Sequence, residues 1–273
     1  MAVYQDKEQA LREILRKLGS AMVAYSGGVD STLLLYVCHQ ELGDSCVAVT
    51  ARSHSIPQRE IDLSSAFCRE HKIHQIIIEN DEFAIEGFAR NSPDRCYLCK
   101  SALFSKLRAL ANDNNNHWII EGSNLDDEKD FRPGAKAIVE HGAVSPLKEA
   151  RFTKDDIREL SRVLGLQTSD RESYSCLSTR IPFGEPITPE KLARVDKAEQ
   201  FLLDEGFKQL RVRSHGDMAR IETNEDGIIA LSDRALRQRV HNALVSFGFR
   251  YITLDIIGYR CGSLNPTRSE TDL

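Results

Sequence analysis

The segment Ser26-Gly27-Gly28-Val29-Asp30-Ser31 constrains this chain more than any other. An apolar run that includes Val23 and Tyr25 leads into it, and Leu33, Leu34, Val37 and Leu42 recur behind it at helical spacing. Two adjacent glycines let a backbone turn tightly and aim successive N–H groups at one point, and a helix starting there directs its positive end to the same place. The segment therefore reads as an anion cradle between a strand and a helix. No Gly-Lys-Ser/Thr follows it and the dinucleotide pattern is absent, so it is neither a Walker loop nor a dinucleotide fingerprint.

Strands and helices alternate around this point. Cys46–Ala51 reads as a second strand, Pro57–His71 as a helix, Ile73–Glu79 as a third strand and Leu98–Ala111 as a helix. A polar break at Asn112–Asn116 precedes another short strand at Trp118–Glu121, and Thr153 caps a helix that Gly165 stops after Leu164. Such alternation implies a parallel sheet covered on both faces. Beyond Cys176 the pattern changes. Pro182, Gly184, Pro186 and Pro189 make a rigid connector, and Thr188-Pro189-Glu190 opens a helix through Leu203. Gln209–Ser214 and Met218–Thr223 read as strands around a turn at Gly216-Asp217, followed by a helix over Ser232–Phe247 and a strand over Arg250–Asp255. The expected architecture is an α/β domain over residues 1–180 and a small α+β domain over 181–273, with a loose tail from Asn265.

The hydrophobic share of 41% suffices for a normal core, while no apolar stretch approaches the roughly 20 residues of a membrane helix. Met1–Arg12 lacks the pattern of a signal peptide, so the cytoplasm is the expected compartment. A net charge of −5 argues against nucleic-acid binding through overall charge. Seven cysteines in a reducing compartment point to metal or thiol chemistry rather than disulfides.

The loop resembles the PP-loop of ATP pyrophosphatases, which release pyrophosphate and adenylate a substrate. The likeness continues through Glu121-Gly122-Ser123-Asn124, Asp126, Asp127 and Asp130, Arg132-Pro133-Gly134, Ser145-Pro146-Leu147, the run Cys176 to Gly184, and Arg211-Val212-Arg213. In this order the motifs resemble the LarE family, ATP-dependent sulfur transferases of nickel-pincer nucleotide synthesis. The resemblance implies adenylation of a carboxylate of pyridinium-3,5-biscarboxylic acid mononucleotide and replacement of AMP by sulfur from a sulfide donor, in a homo-oligomer. Ser26, Gly27, Gly28, Asp30, Ser31, Thr50 and Asn124 are then the expected ATP-binding residues. Asp30 is the preferred Mg²⁺ ligand, whereas Asp126, Asp127 and Asp130 read equally well as a solvated acidic loop.

Cys96-Tyr97-Leu98-Cys99 brings two thiolates within reach of one metal, and by spacing alone it fits a redox dithiol, half a zinc site or two unconnected thiols. Cys176, near Arg180, is a third candidate in a setting that favours thiolate, while Cys38, Cys46, Cys68 and Cys261 read as core. Resemblance offers two chemistries: Cys96, Cys99 and Cys176 ligating a [4Fe-4S] cluster that binds sulfide, or Cys176 giving up its own sulfur. A zinc site completed by His71 or His74 is the competing reading. Arg211 and Arg213 share one face of a strand, and with Arg220 they suit phosphate or carboxylate recognition. Arg180 is expected at the adenylate or substrate carboxylate. The charged helix over 191–203 reads as solvated and without a role. Rival readings are a tRNA-thiolating PP-loop enzyme, for which a basic surface is missing, and a non-catalytic nucleotide or sulfide carrier.

Overall fold

The computed structural model describes residues 3–113, 118–129, 134–171, 174–260 and 263–264. Asp130, Arg132, Pro133, Cys261 and the tail from Asn265 lie outside these residues. The chain divides into two compact units, Met1–Ile85 with Cys96–Tyr174, and Glu86–Arg95 with Ser175–Leu273.

The first unit is built on β1 (Ala21–Ala24), β2 (Cys46–Arg52), β3 (His74–Glu79) and β4 (Trp118–Ile120), all parallel in the order β3-β2-β1-β4. Side chains alternate across such a sheet, and both faces are apolar. Ala21, Val23, Cys46, Ala48 and Ile120 face one core, where α1 (Val3–Leu18), α2 (Val29–Leu42), α3 (Gln58–Glu70) and α7 (Lys154–Val163) contribute Leu11, Leu15, Leu34, Cys68, Ile157 and Leu160. Met22, Val47, Val49 and Ile119 face the other, against Phe104 and Leu107 of α4 (Arg95–Asp113) and Ile138 of α5 (Gly134–Glu140). Helix α6 (Pro146–Glu149) is a single turn that buries Leu147.

Three differences from the sequence reading have physical causes. Helix α1 went unread because its termini look only charged, yet Leu11 and Leu15 repeat at helical spacing and are fully buried. Helix α4 begins at Arg95, ahead of the expected Leu98, and runs through Asn112 into Asp113. Helix α2 is buried round its middle, with Leu33, Leu34, Leu35, Val37 and Cys38 at zero exposure, and its last turn, His39–Leu42, reaches the surface.

In the second unit α8 (Pro189–Asp204) lays Leu192, Val195, Ala198 and Leu202 into a core beside β5 (Arg211–His215) and β6 (Met218–Glu222), an antiparallel hairpin turning at Gly216, whose φ is +54°. Short α9 (Glu225–Ala230), capped by the Asn224 side chain and absent from the reading above, leads to α10 (Arg234–Ser246) and to β7 (Tyr251–Leu254), which runs parallel to β6. Asn91 fixes the proline-rich connector. Its amide donates to the carbonyls of Ile181, Pro182 and Glu185, so the rigidity expected of Pro182–Pro189 comes equally from a buried asparagine.

Candidate functional site

Strand β1 ends inside the core, and the chain must reverse into α2 at once. Gly27 takes φ +76°, a region open to glycine, and Gly28 is the extended residue that caps α2. Ser31 Oγ donates to the Gly28 carbonyl at 3.2 Å, lies 3.1 Å from Ser26 Oγ and accepts the Ser26 N–H at 3.3 Å, so two hydroxyls flank the free N–H groups at the helix start. The end of β4 presses against this turn: a Cβ on Gly122 would stand 3.0 Å from Ser31 N. Only a glycine lets the two segments pass.

Asp30 points from the first turn of α2 to Lys154, whose Nζ donates to Oδ2 at 2.6 Å, and Asn124 Nδ2 lies 3.5 Å from Oδ1. The structure thus brings together Asp30 and Asn124, as expected, and adds Lys154. The clue available in sequence was that a lysine directly after the Thr153 cap opposes the helix dipole unless it serves a carboxylate. Asp126 accepts the Lys154 backbone N–H at 2.8 Å, and Asp127 accepts that of Asn124 at 3.0 Å. Both acids therefore shape the turn that presents Asn124 and Lys154. Glu121 accepts Ser123 through one oxygen and Ser145 through the other, joining two of the motifs singled out above. Thr50 is buried, its hydroxyl donating to the Tyr25 carbonyl at 3.0 Å and accepting Gln75 Nε2 at 2.9 Å.

The cysteines fall into two classes. Cys38, Cys46 and Cys68 are sealed in the first core, as read. Bonding to Cys46, together with burial, raises the Cys38 thiol, and burial pushes Cys68 up to about 12, so both stay protonated and unreactive at neutral pH. Cys96, Cys99 and Cys176 are half-buried and form no disulfide. Cys96 and Cys99 sit within the first turns of α4, three apart and hence on one side of the helix. Cys176 belongs to the second unit and caps the short turn Leu177–Arg180. Among the described residues no three His, Cys, Asp or Glu side chains form a group able to hold a metal ion. His71 packs its ring 4.3 Å from that of Phe67, and His74 is exposed on β3.

In the second unit Arg180, Arg211, Arg213 and Arg220 surround two buried carboxylates that the sequence reading missed. Arg180 meets Glu199 at 2.8 and 3.1 Å and wraps its remaining nitrogen around the carbonyls of Ser175 and Cys176. Arg213 donates twice to Glu222 and once to the Thr179 carbonyl, and Arg220, its cross-strand neighbour, donates to the other Glu222 oxygen. Arg211 lies 5.0 Å over the Tyr259 ring, and burial, aided by the charge of Arg180, lowers its pKa. The helix read as solvated therefore needs correction. Glu199 lies on the inner stripe with Leu192, Val195 and Leu202, and a charge on that stripe was the legible clue.

No protein-family profile matches the chain. It is 40% identical over 261 residues to an uncharacterised protein of Synechocystis sp., spanning 96% of this chain and 97% of that protein. It is 37% identical over 277 residues to the pyridinium-3,5-bisthiocarboxylic acid mononucleotide synthase of Lactiplantibacillus plantarum, spanning all of this chain and 99% of that enzyme. The B subunit of the glutamine-hydrolysing GMP synthase of Archaeoglobus fulgidus is 26% identical over 228 residues, 75% of this chain and 72% of the subunit.

Proposed function

The chain belongs to the LarE family, that of the pyridinium-3,5-bisthiocarboxylic acid mononucleotide synthases, and from this we infer that it is an ATP-dependent sulfur transferase. A carboxylate is a poor acyl donor because its leaving group is oxide. A carboxylate oxygen of pyridinium-3,5-biscarboxylic acid mononucleotide attacks the α-phosphorus of ATP, and pyrophosphate departs. Sulfur then forms the C–S bond as the C–O bond to AMP breaks, giving a thiocarboxylate. The observation that carries this reading is the cradle at Ser26–Ser31, with Asp30 and Lys154 beside the start of α2, in a chain related to that synthase over its whole length. The test is to incubate the protein with ATP, the dicarboxylate nucleotide and sulfide, and to follow AMP, pyrophosphate and the mass of the product. ATP consumption without a thiocarboxylate would refute it.

The Asp30 carboxylate is an oxygen donor of the type that Mg²⁺ takes and is the proposed ligand of an ion that neutralises the triphosphate, while Asn124, whose Nδ2 faces Asp30 and whose Oδ1 accepts the Asp126 N–H, is proposed to bind ATP. Arg211, Arg213 and Arg220 are proposed to recognise the substrate's phosphate and carboxylates, whereas Arg180, expected at the substrate carboxylate but fully buried on Glu199, is proposed to hold the turn that carries Cys176. For the sulfur source we propose Cys96, Cys99 and Cys176 as thiolate ligands of an iron–sulfur cluster, which would supply an exchangeable sulfide. That reading rests on the family resemblance and on the suitability of three thiolates, since among the described residues these thiols form no metal-holding group. Iron and acid-labile sulfide analysis of anaerobically purified protein tests it. Among the described residues no helix is long and apolar enough to cross a membrane. The cytoplasm and a homo-oligomeric state are proposed on the family resemblance.

A further inference from the structure

Glu60 and Arg171 take no part in the groups assigned above, yet both reach the PP-loop. Arg171 Nη2 donates to the two Glu60 oxygens at 2.7 and 2.6 Å, and Nη1 donates to the Gly27 carbonyl at 3.0 Å. Glu60 is buried on α3, so the chain has withdrawn a carboxylate from water to hold a cation at this turn. Arg158 of α7 in turn donates to the carbonyls of Ser169 and Arg171 at 2.8 and 3.2 Å, fixing the backbone from which Arg171 extends.

The consequence follows from peptide geometry. In a trans peptide the C=O and the next N–H point in opposite directions. With its carbonyl held by Arg171, the Gly27–Gly28 peptide turns the Gly28 N–H the other way, to the side where Ser26 Oγ lies 3.4 Å off. Locally that orientation is held weakly, by the 3.4 Å contact to Ser26 Oγ, because Gly27 and Gly28 both lack a Cβ. Rotation of this one plane would carry Gly28 from φ −74° into the positive range that glycine accepts, and would aim a carbonyl oxygen at an incoming anion.

We propose that Glu60 and Arg171 form a positioning pair that locks the Gly27–Gly28 peptide with its N–H toward the pyrophosphate of ATP. Glu60 takes up the charge of Arg171 and directs Nη1 at the carbonyl, so the pair acts through the loop. This rests on the ATP reading given above.

The test is calorimetric titration of inorganic pyrophosphate and, separately, AMP into the full-length parent, Arg171→Met, Arg171→Lys and Glu60→Gln, with a melting temperature for each. Pyrophosphate affinity should fall about tenfold in Arg171→Met, the equivalent of one hydrogen bond to a charged group, and several-fold in the isosteric Glu60→Gln. AMP affinity should hold in every variant, whereas the melting temperature should fall in Arg171→Met, which leaves the buried Glu60 carboxylate unpaired, without carrying AMP affinity with it. Arg171→Lys keeps the charge but not the fork, and it should bind pyrophosphate nearly as weakly as Arg171→Met. Full recovery in Arg171→Lys would overturn the proposal in favour of simple attraction, and parallel loss of pyrophosphate, AMP and melting temperature would overturn it in favour of fold support. Should Arg171→Met not fold, unchanged pyrophosphate binding in Glu60→Gln overturns it as well. A parent that binds neither pyrophosphate nor ATP overturns the ATP reading and the proposal together, whereas equal binding by parent and Arg171→Met overturns the proposal alone.

Discussion

Replacing Glu199 with Gln should destabilise the protein by about 3 kcal/mol, the lower end of the cost of removing one partner from a buried ion pair. Arg180 has zero side-chain exposure and Glu199 3%, and two hydrogen bonds join them. The amide still accepts one bond from Arg180 but leaves the guanidinium charge uncompensated in the core. Burial by itself pushes the Glu199 carboxyl up, yet the charge and hydrogen bond of Arg180, the Val212 N–H and the charge of Arg211 outweigh it and hold the carboxyl below the usual range. A depressed folded pKa contributes stability that is complete above the unfolded value of about 4.3 and fades as pH falls through the folded one. The parent should therefore lose part of its margin over Glu199→Gln only below about pH 4.3. Urea denaturation at pH 7 and at stepwise lower pH measures both effects. In the double variant Arg180→Met, Glu199→Leu, both charges are gone and part of the loss should return, the remainder being the Val212 N–H left without its acceptor and the Ser175 and Cys176 carbonyls left without this donor. A cost under about 1 kcal/mol for Glu199→Gln, or a double variant no better than the single one, would refute the reasoning.

Asp30→Ala should abolish pyrophosphate release from labelled ATP, and Lys154→Met should weaken ATP by about tenfold through the lost charge-assisted bond; parent-like rates in both would remove this corner from the chemistry. Cys176→Ala should stop thiocarboxylate formation while pyrophosphate release continues, and Cys96→Ala should lose bound iron and acid-labile sulfide. Intact mass after turnover distinguishes the alternatives, because dehydroalanine at position 176 would make the cysteine itself the sulfur donor. Arg213→Ala should weaken the nucleotide substrate by roughly 1.5 to 3 kcal/mol with ATP affinity unchanged, and titration of both ligands decides it.

The parallel sheet and the cradle were legible because each is written locally. Strand-length apolar runs, helical spacing and the Gly27-Gly28 pair sit within a few residues of one another, and their order leaves little freedom to the topology. Partners distant in sequence were not legible. Lys154 meets Asp30 from 124 positions away, and nothing near either residue names the other. Glu199 looked like one charge among many on a charged helix until its place on the inner stripe with Leu192 and Val195 was fixed by packing. Arg211 and Arg213 were read correctly as sharing a face with Arg220, but the residue that joins Arg213 to Arg220, Glu222, was hidden because its burial depends on a cation brought from the neighbouring strand as well as on its own.

Helix α2 carries the loop on its first turn and is enclosed by side chains from Ser31 to Cys38. A cradle rooted in such an element incurs its ordering entropy when the chain folds, and little of that cost remains for the moment of ligand encounter. The amides behind the loop can exchange with solvent only when the core itself opens. The same rooting ties recognition to distant packing: a cavity made around Leu34 loosens the base of α2, and the loosening would register as slack at the phosphate donors before it registered as loss of fold.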